Sequence, residues 1–349
     1  MTDTLVFDAA ERLFGDLATE AVVNAAEAGT WPAALWQAVD AAGFLDVLVA
    51  GAAGFDLGGF GDAAQILRAA GRHAVPLPLA ETMLARWWLA GAGLAVPQGP
   101  LTVAPVEPDD TVAVTPARRG CRVSGRAGAV PWATQAAGIV VVAAGYVALV
   151  VPSAADVRAG TNLAGEPRDE VAFELDVTDA AAAPVPSAYD ATLLLGLGAA
   201  CRAQQIAGAL ETALELAVRY ANDRVQFGRP LAKFQAIQHQ LALAAEQAGA
   251  ARVAADGASA ALAARGGDAV FAVAAAKIRA GEAAGKLTDY VHQVHGAIGF
   301  THEHRLHHAT RRLWSWRDEF GTESHWSVAL GRRLAAAGGG ALWPTLTAE

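Results

Sequence analysis

The sequence predicts a mainly α-helical protein with three successive regions: an N-terminal α-helical domain at 1–100, a small β domain at 101–185 and a C-terminal α-helical bundle at 186–349. Two observations predict this order. Apolar residues recur at helical spacing in the first and third regions, whereas short Val-rich runs alternate with Gly, Pro and Asp turns in the middle one. With 349 residues, 54% of them hydrophobic, the chain has enough apolar material to fill such layered units.

The N-terminal region contains four predicted helices, at 7–28, 32–43, 60–73 and 79–95. Gly-rich joints such as GAAGFDLGGFGD separate them, because glycine enters turn conformations at little steric cost. The first residues lack the basic start and apolar centre of a signal peptide, so a cytoplasmic protein is expected. The two cysteines, Cys121 and Cys201, are far apart in sequence, which favours reduced thiols over a disulfide framework.

In the middle region, the runs TVAV, IVVVA, YVALVV and EVAFELDV are predicted strands of a small antiparallel β unit. One segment, 133–155, is uncharged and long enough to span a membrane. It is rich in Val, however, and Ala144-Gly145 interrupts it near the centre. Two buried strands joined by a tight turn are therefore predicted, and no membrane is expected as a partner.

The C-terminal region contains three long predicted helices, whose apolar stripes cover 206–221, 234–244 and 271–294. Small residues dominate these stripes, so the helices are expected to approach one another closely. A last helix is predicted at 323–336. Thr322 is expected to cap its N-terminus, and the run AAAGGGA is expected to end it.

The net charge of −9 argues against nucleic acid as a partner, since phosphate contacts need a clustered positive field. Seven of the nine histidines cluster between positions 292 and 325. His304 and His308 have the i, i+4 spacing of a helical metal-binding pair, but no HExxH motif is formed and no third ligand is evident. We expect no metal site, and we interpret the cluster as a solvated helix surface or an interface.

Two stretches have residue types that suit ligand binding, and each has a second interpretation. Arg224 and Phe227 in RVQFGRPL lie between two predicted helices, where an Arg can hold a diphosphate and an aromatic ring can cover a flat ligand. Alternatively, this Arg caps helix carbonyls above a core Phe. In QVHGAIGF, Gly296 and Gly299 open the backbone near Gln293, or they simply end a helix.

Together, RVQFGRPLAKFQAIQHQLA and QVHGAIGFTHEHRLHHATRR resemble the flavin-dependent acyl-CoA dehydrogenase family. The resemblance is strong in 200–327, fair in 30–90 and weak in 101–185. It implies an N-terminal helical domain, a middle β domain and a C-terminal four-helix bundle, with FAD bound across a subunit interface. The implied FAD-binding residues are Arg224, Gln226, Phe227 and Gln235 at the adenine-diphosphate half, Gln293, Gly296 and Ala297 at the diphosphate, and Thr322 and Ser324 beside the flavin.

The resemblance also implies a Glu that removes the substrate α-proton, but neither family position for this base holds a carboxylate. One position, directly before the Gly-Thr of DEFGTE, is Phe320, and the other, on an earlier helix, is Gly198. No catalytic residue is therefore expected in this chain. Glu319 is the fallback base, although its neighbours Arg317 and Asp318 predict a solvated, paired face on which its pKa is lowered.

The middle region departs from the family in two places. The flavin-contacting Trp-Ile-Thr-Asn is absent, and the most similar segment is GRAGAVPW at 125–132. The acidic Gly-Ser loop is shortened to APVEPDD. The chain is thus predicted to hold the adenine end of FAD better than the flavin ring.

Because it lacks the base and contains AGEPRD at 164–169, the chain is most similar to the shorter subunit of bacterial heterotetrameric acyl-CoA dehydrogenases linked to steroid side-chain degradation. This implies FAD-dependent α,β-dehydrogenation of an acyl-CoA thioester. The implied partners are a longer acyl-CoA dehydrogenase subunit, or self-association as a dimer or tetramer, and an electron-acceptor flavoprotein. Alternatives are a self-sufficient dehydrogenase that uses Glu319, a flavin monooxygenase of the same fold, and a non-enzymatic structural subunit. Trp314, Trp316 and Trp326 are expected to leave apolar surface for an oligomer interface.

Overall fold

The computed structural model describes residues 5–49 and 54–347, and its first region is helical as predicted. The helices are α1 (Leu5–Leu17), α2 (Glu20–Glu27), α3 (Ala33–Ala41), α4 (Phe60–Arg72) and α5 (Leu79–Gly91). The single helix predicted at 7–28 is wrong, because the chain leaves α1 at Ala18 and begins a new helix. The hydroxyl of Thr19 accepts the Val22 N–H at 3.4 Å and so caps α2.

The middle region forms two four-stranded sheets, with the strand orders β1-β4-β5-β8 and β2-β3-β7-β6. The strands are β1 (Leu101–Ala104), β2 (Ala113–Pro116), β3 (Cys121–Pro131), β4 (Gly138–Ala143), β5 (Tyr146–Val150), β6 (Asp156–Arg158), β7 (Arg168–Val177) and β8 (Ala182–Pro184). The predicted antiparallel pairing is wrong only for β1, which pairs with β4 in parallel. The strand pair predicted within 133–155 is confirmed, because β4 is buried and turns into the antiparallel β5 through Ala144 and Gly145, both with positive φ.

The C-terminal region combines helices with one small hairpin. Its elements are α6 (Ala191–Asp223), β9 (Val225–Gln226), β10 (Arg229–Pro230), α7 (Gln235–Arg265), α8 (Val270–His295), α9 (Leu306–Trp316), α10 (Glu323–Ala337) and α11 (Leu342–Thr347). Thr322 caps α10 as predicted, since its hydroxyl accepts the His325 N–H at 3.2 Å. Gly338 follows α10 with a φ of 81°, as the predicted stop requires, but the short helix α11 beyond it was not predicted.

The central helix of the molecule is α6. Within residues 5–49 and 54–347 it is the one helix long and apolar enough to cross a membrane, yet 83% of its most apolar stretch is buried inside the protein, as in a core helix. Glycines let α4 pack directly on it. A Cβ at Gly71 would overlap the Gln205 carbonyl oxygen, and a Cβ at Gly208 would overlap that of Arg68. This close approach joins α4 to α6, whereas the prediction concerned the three C-terminal helices among themselves.

Two of the three tryptophans expected at an oligomer surface are core residues. Trp316 is 1% exposed and Trp326 is 4% exposed. Their indole N–H groups donate to Glu166 and to the Phe320 carbonyl oxygen, each at 2.9 Å, so both are satisfied within the chain. The expectation of exposed apolar surface at these two residues is therefore wrong. Large exposed apolar side chains lie elsewhere and include Phe227, Phe300 and Trp343.

Candidate active site and cofactor site

The two residues at the family's positions for the catalytic base, Phe320 and Gly198, are in contact with each other. Phe320 lies in the turn before α10 and is 1% exposed. Gly198 lies on α6, and a Cβ at this position would overlap the Phe320 ring. The Phe320 ring thus fills the space beside Gly198, and it fits there because residue 198 has no side chain.

Glu319 is buried between two arginines. Its carboxylate accepts hydrogen bonds from Nε and Nη2 of Arg168 at 2.7 and 2.9 Å, and from Nε of Arg202 at 2.7 Å. The predicted solvated face for Glu319 is therefore wrong. Burial alone would raise the pKa of Glu319, but Arg168 and Arg202 outweigh it and lower this pKa to about 2. A carboxylate held so firmly in its ionised form is a poor acceptor for a substrate proton at neutral pH.

The same two arginines connect Glu319 to other parts of the fold. Arg202 contacts Glu81 on α5, with Nη2 2.5 Å from Oε1. Arg168, the first residue of β7, contacts Glu166, with Nη2 3.0 Å from Oε2. The two arginines and these two further acids are nearly inaccessible to water, with side chains between 1% and 4% exposed. Each buried charge therefore has an opposite charge in direct contact, which limits the cost of burying it.

A fourth acid, Glu27, extends this set of ion pairs to α2 and α9. Arg312 bridges two carboxylates, because its Nη1 lies 2.9 Å from Glu27 and its Nε lies 3.2 Å from Glu166. Glu27 also contacts Arg311 at 2.9 Å and the ring of His308 at 3.0 Å. Burial alone would raise the pKa of Glu27, but the contacts with His308 and Arg312 lower it to about 2.

His304 and His308 have the spacing of a helical pair but do not share a helix, because His304 precedes α9. A different group comes together: Glu27, His307 and His308 place one potential metal-ligand atom each within 4.8 Å of one another. The two arginines bound to Glu27 already neutralise it, so the group offers a divalent cation little attraction. His307 and His308 are 6% and 5% exposed, so the predicted solvated surface is wrong at both positions.

Lys277 on α8 fixes the turn that carries Phe320. Its buried Nζ donates to the carbonyl oxygens of Arg317 and Gly321 at 2.6 and 2.7 Å. Burial lowers the pKa of Lys277 to about 8, against the opposing effect of nearby carboxylates. The backbone of the turn is therefore tied to α8 on both sides of Glu319 and Phe320.

A Trp and a Thr follow β3 at the spacing of the family's Trp-Ile-Thr-Asn, so the expected absence of that motif holds for only part of it. The residues are Trp132 and Thr134 in WATQ. The Arg168 guanidinium lies over the Trp132 ring, 4.8 Å from its centroid. Thr134 donates its N–H and its hydroxyl to Asp169 at 2.7 and 3.0 Å. Both motif side chains are thus held by the start of β7.

Arg224, Gln226 and Phe227 belong to an exposed hairpin that β9 and β10 form at the end of α6. Phe227 turns the chain with a φ of 49° and is 92% exposed, so the alternative of a core Phe beside Arg224 is wrong. Within the described residues the Arg224 guanidinium has neither an ion pair nor a hydrogen bond. The side chains of this hairpin are free to meet a ligand or another chain.

Three more of the predicted cofactor residues lie at the same end of the bundle: Gln293, Gly296 and Ala297. All three are exposed at the end of α8, where Gly296 has a φ of 63°. The ring of Tyr220, near the end of α6, stacks on His295 with 4.7 Å between centroids and so holds the two helix ends together. Gln235 begins α7 just after the hairpin. Seven of the nine predicted residues therefore share one end of the bundle.

The remaining two, Thr322 and Ser324, lie at another level of the bundle. Glu323, between them, packs against Gly281 of α8. Gly281 precedes Gly296 by fifteen residues, or about 22 Å along the helix. A single chain therefore does not bring the two groups of predicted residues together.

Comparisons with known proteins agree with this architecture. Residues 189–324 match the family model for the acyl-CoA dehydrogenase C-terminal domain. The structure of a variant of the Tcur3481-Tcur3483 steroid ACAD superposes with a TM-score of 0.84 and 27% identity, over 96% of this chain and 98% of that one. Residues 189–324 therefore form an acyl-CoA dehydrogenase C-terminal domain, and the whole chain is similar in fold to that steroid ACAD. The ChsE4-ChsE5 complex from Mycobacterium tuberculosis superposes with a TM-score of 0.81 and 22% identity, over 95% of this chain and 96% of that one.

Two related sequences match in shorter segments. 3-Sulfinopropanoyl-CoA desulfinase from Paraburkholderia xenovorans is 44% identical over 125 residues, which are 35% of this chain and 30% of that protein. Acyl-CoA dehydrogenase IpdE2 from Mycobacterium tuberculosis is 41% identical over 106 residues, which are 30% of this chain and 31% of that protein. The matched segments thus cover less than a third of either relative.

FAD is the cofactor that the match to the acyl-CoA dehydrogenase family supports, and the residues of this chain suit one half of it. The hairpin and the end of α8 offer a guanidinium, amides, open backbone and an exposed aromatic ring, a set that suits an adenine diphosphate. At the base position, by contrast, the Phe320 ring and the paired Glu319 fill the space. The end of the bundle at the hairpin is thus exposed, whereas the base position is filled.

Two of the residues that hold Glu319 in its buried position, Arg202 and its partner Glu81, were not predicted from the sequence. Glu81 stands in the apolar run PLPLAETMLA and Arg202 in the run LGLGAACRAQQIAG. A charge within such a run has to find a partner when it is buried, which is a signal for both residues. The pairing itself could not be read from either run, because the partners come from different helices.

Proposed function

We propose that this chain is the partner subunit of a heteromeric acyl-CoA dehydrogenase. It completes the FAD site of a second, base-carrying chain, and the assembly catalyses FAD-dependent α,β-dehydrogenation of an acyl-CoA thioester. The steroid ACAD and the two-chain complex found by structural comparison support a bulky, steroid-derived acyl group and an unlike partner chain.

The observation that carries this proposal is the contact between Phe320 and Gly198. A base at either family position would need the volume that the phenyl ring fills. The carboxylate directly before Phe320 in the sequence, Glu319, is held ionised by two arginines. A self-sufficient enzyme would have to break these contacts in every turnover, so the base is assigned to the partner.

In this assembly, bound FAD supplies the hydride acceptor, and this chain binds its adenine-diphosphate half. Arg224 would donate charge-assisted hydrogen bonds to the diphosphate, and Phe227 would cover the adenine. The amides of Gln226, Gln235 and Gln293 add donors and acceptors. Gly296 and Ala297 let the backbone approach the diphosphate closely. An electron-acceptor flavoprotein then takes the electrons from the assembly.

The proposal is tested by purifying this chain alone and together with a longer acyl-CoA dehydrogenase chain. Flavin absorbance and acyl-CoA-dependent reduction of an artificial acceptor are measured for both preparations. The chain alone should be colourless and inactive, and the pair should be yellow and active. A yellow, active single chain would instead make this chain a self-sufficient dehydrogenase. A yellow single chain that consumes oxygen would make it a monooxygenase, and a colourless product with every partner would make it a structural subunit.

A further inference from the structure

Seven buried charged side chains form one alternating sequence of acids and arginines. They are, in order of contact, Glu81, Arg202, Glu319, Arg168, Glu166, Arg312 and Glu27. Each consecutive pair is 2.5–3.2 Å apart, and no side chain among the seven is more than 11% exposed. We refer to these seven residues as the ion-pair chain.

The ion-pair chain passes through all three regions of the fold. Glu81 and Glu27 lie on α5 and α2 of the first region, and Glu166 and Arg168 lie at the start of β7 in the second. The other three residues lie on α6, on α9 and in the turn before α10. Four of the six contacts join different regions, so these bonds connect the regions rather than support any one element.

The charges of this arrangement are balanced. Arg311 contacts Glu27 at one end, so four carboxylates face four guanidiniums. A balanced, fully paired set avoids the large cost of burying an unmatched charge. Buried ion pairs of this kind often add no more stability than apolar packing would, but they accept only one arrangement of their partners. The role that these buried ion pairs suit is to fix one arrangement of the three regions.

We propose that the ion-pair chain is a clamp that holds the three regions in one arrangement without a bound cofactor and keeps the base position closed. Glu319 is its third member and directly precedes Phe320, so the clamp fixes the residue before the ring. The Arg202 guanidinium also lies 5.3 Å from the centroid of the Phe320 ring. The ring thus packs against one face of α6, at Gly198 and at Arg202 one turn later. This role rests on the contacts within the chain and does not depend on the proposed function.

A clamp differs from a set of independent ion pairs in one measurable way. Glu81 and Glu27 are at opposite ends, and among the described residues the ion pairs connect them through the five side chains between them. Changes at separate, independent sites multiply in their effect on the unfolding equilibrium, whereas changes within one network do not. We therefore expect Glu81→Gln and Glu27→Gln to be coupled in urea unfolding of the full, FAD-free chain. The unfolding constant of the double variant should differ from the product of the single effects by about threefold or more.

Hydrogen exchange gives a second measurement on the same proteins. Glu81→Gln should increase exchange not only in α5 and α6, where the residue makes its contact, but also in β7 and α2. The control is Glu174→Gln, which changes an exposed carboxylate paired with Arg122 on a sheet surface. It should leave exchange in α2 and α5 unchanged. Multiplicative effects in urea, with exchange changes confined to α5 and α6, would overturn the clamp.

A further variant keeps the test decisive if the Glu variants do not fold. Arg168→Lys retains the charge at the middle of the ion-pair chain but cannot form the two-pronged bond to Glu319. Increased hydrogen exchange in both α2 and α5 would support the clamp. Unchanged exchange in these two helices would contradict it.

Discussion

At the scale of single residues, the side chains allowed at positions 198 and 320 depend on each other, because a Cβ at Gly198 would overlap the Phe320 ring. We expect Gly198→Ala to destabilise the chain by about 1–3 kcal/mol through overpacking, measured by urea unfolding. Adding Phe320→Ala should restore part of this loss. The control is Gly249→Ala on α7, where a Cβ meets nothing within 4 Å. There, replacing a helical glycine should stabilise by about 0.5–1 kcal/mol. Equal losses at both glycines would show that the ring is not the cause.

Glu319 should contribute stability that depends on pH. Its folded-state pKa is lowered to about 2, so the contribution is complete above the ordinary carboxylate pKa and is lost as the pH falls through about 2. A shift of this size corresponds to about 3 kcal/mol at neutral pH. In urea unfolding at several pH values, the stability difference between wild type and Glu319→Gln should be largest near neutral pH and shrink in acid. A difference independent of pH would mean that this carboxylate is not ionised in the folded chain.

Local sequence could show which residues stand at the base positions, but not what surrounds them. Phe320 and Gly198 were found from the motifs, yet their contact joins a turn to a helix that lies far earlier in the chain. The solvated face predicted for Glu319 came from its sequence neighbours. The two arginines that bury it come from β7 and α6, and no local pattern contains that information.

At the scale of elements, the hairpin of β9 and β10 should matter for FAD and not for folding. Arg224 is exposed, so Arg224→Ala should change the unfolding free energy by less than about 0.5 kcal/mol. A guanidinium bound to a diphosphate contributes about 1.5–3 kcal/mol, so the assembly should lose FAD affinity about tenfold or more. Titration of FAD into the assembly checks this, with the exposed Arg252→Ala on α7 as the control. Equal FAD affinity in both variants would remove Arg224 from the cofactor site.

Elements with a strong apolar period were predicted closely. The helix predicted at 60–73 is α4, Phe60–Arg72, and the one predicted at 323–336 is α10, Glu323–Ala337. The single helix predicted at 7–28 failed for a local reason. Its apolar period continues through the break, but the Thr19 hydroxyl competes for a backbone N–H and begins a new helix.

At the scale of the whole molecule, the order of helical, β and helical regions could be predicted because the period of apolar residues changes twice. The division of the chain at 100 and 185 remains our proposal. What the sequence could not provide is the set of contacts between these regions. The ion-pair chain connects residues from α2, α5, α6, β7 and α9, and each of its charges looks like an isolated charge in its own segment. For the same reason, a chain with the motifs of a dehydrogenase can have a closed base position.

The central claim is that the catalytic base of the assembly lies on the partner chain. The most direct test compares turnover per bound FAD in two variants of the assembly: Glu319→Gln in this chain, and Glu to Gln at the base position of the partner. Counting turnover per FAD removes any effect of stability on yield. We expect the change in this chain to alter turnover by no more than a few-fold, and the change in the partner to reduce it by orders of magnitude. If Glu319→Gln caused that large loss with FAD still bound, the base would lie on this chain and the account would be contradicted.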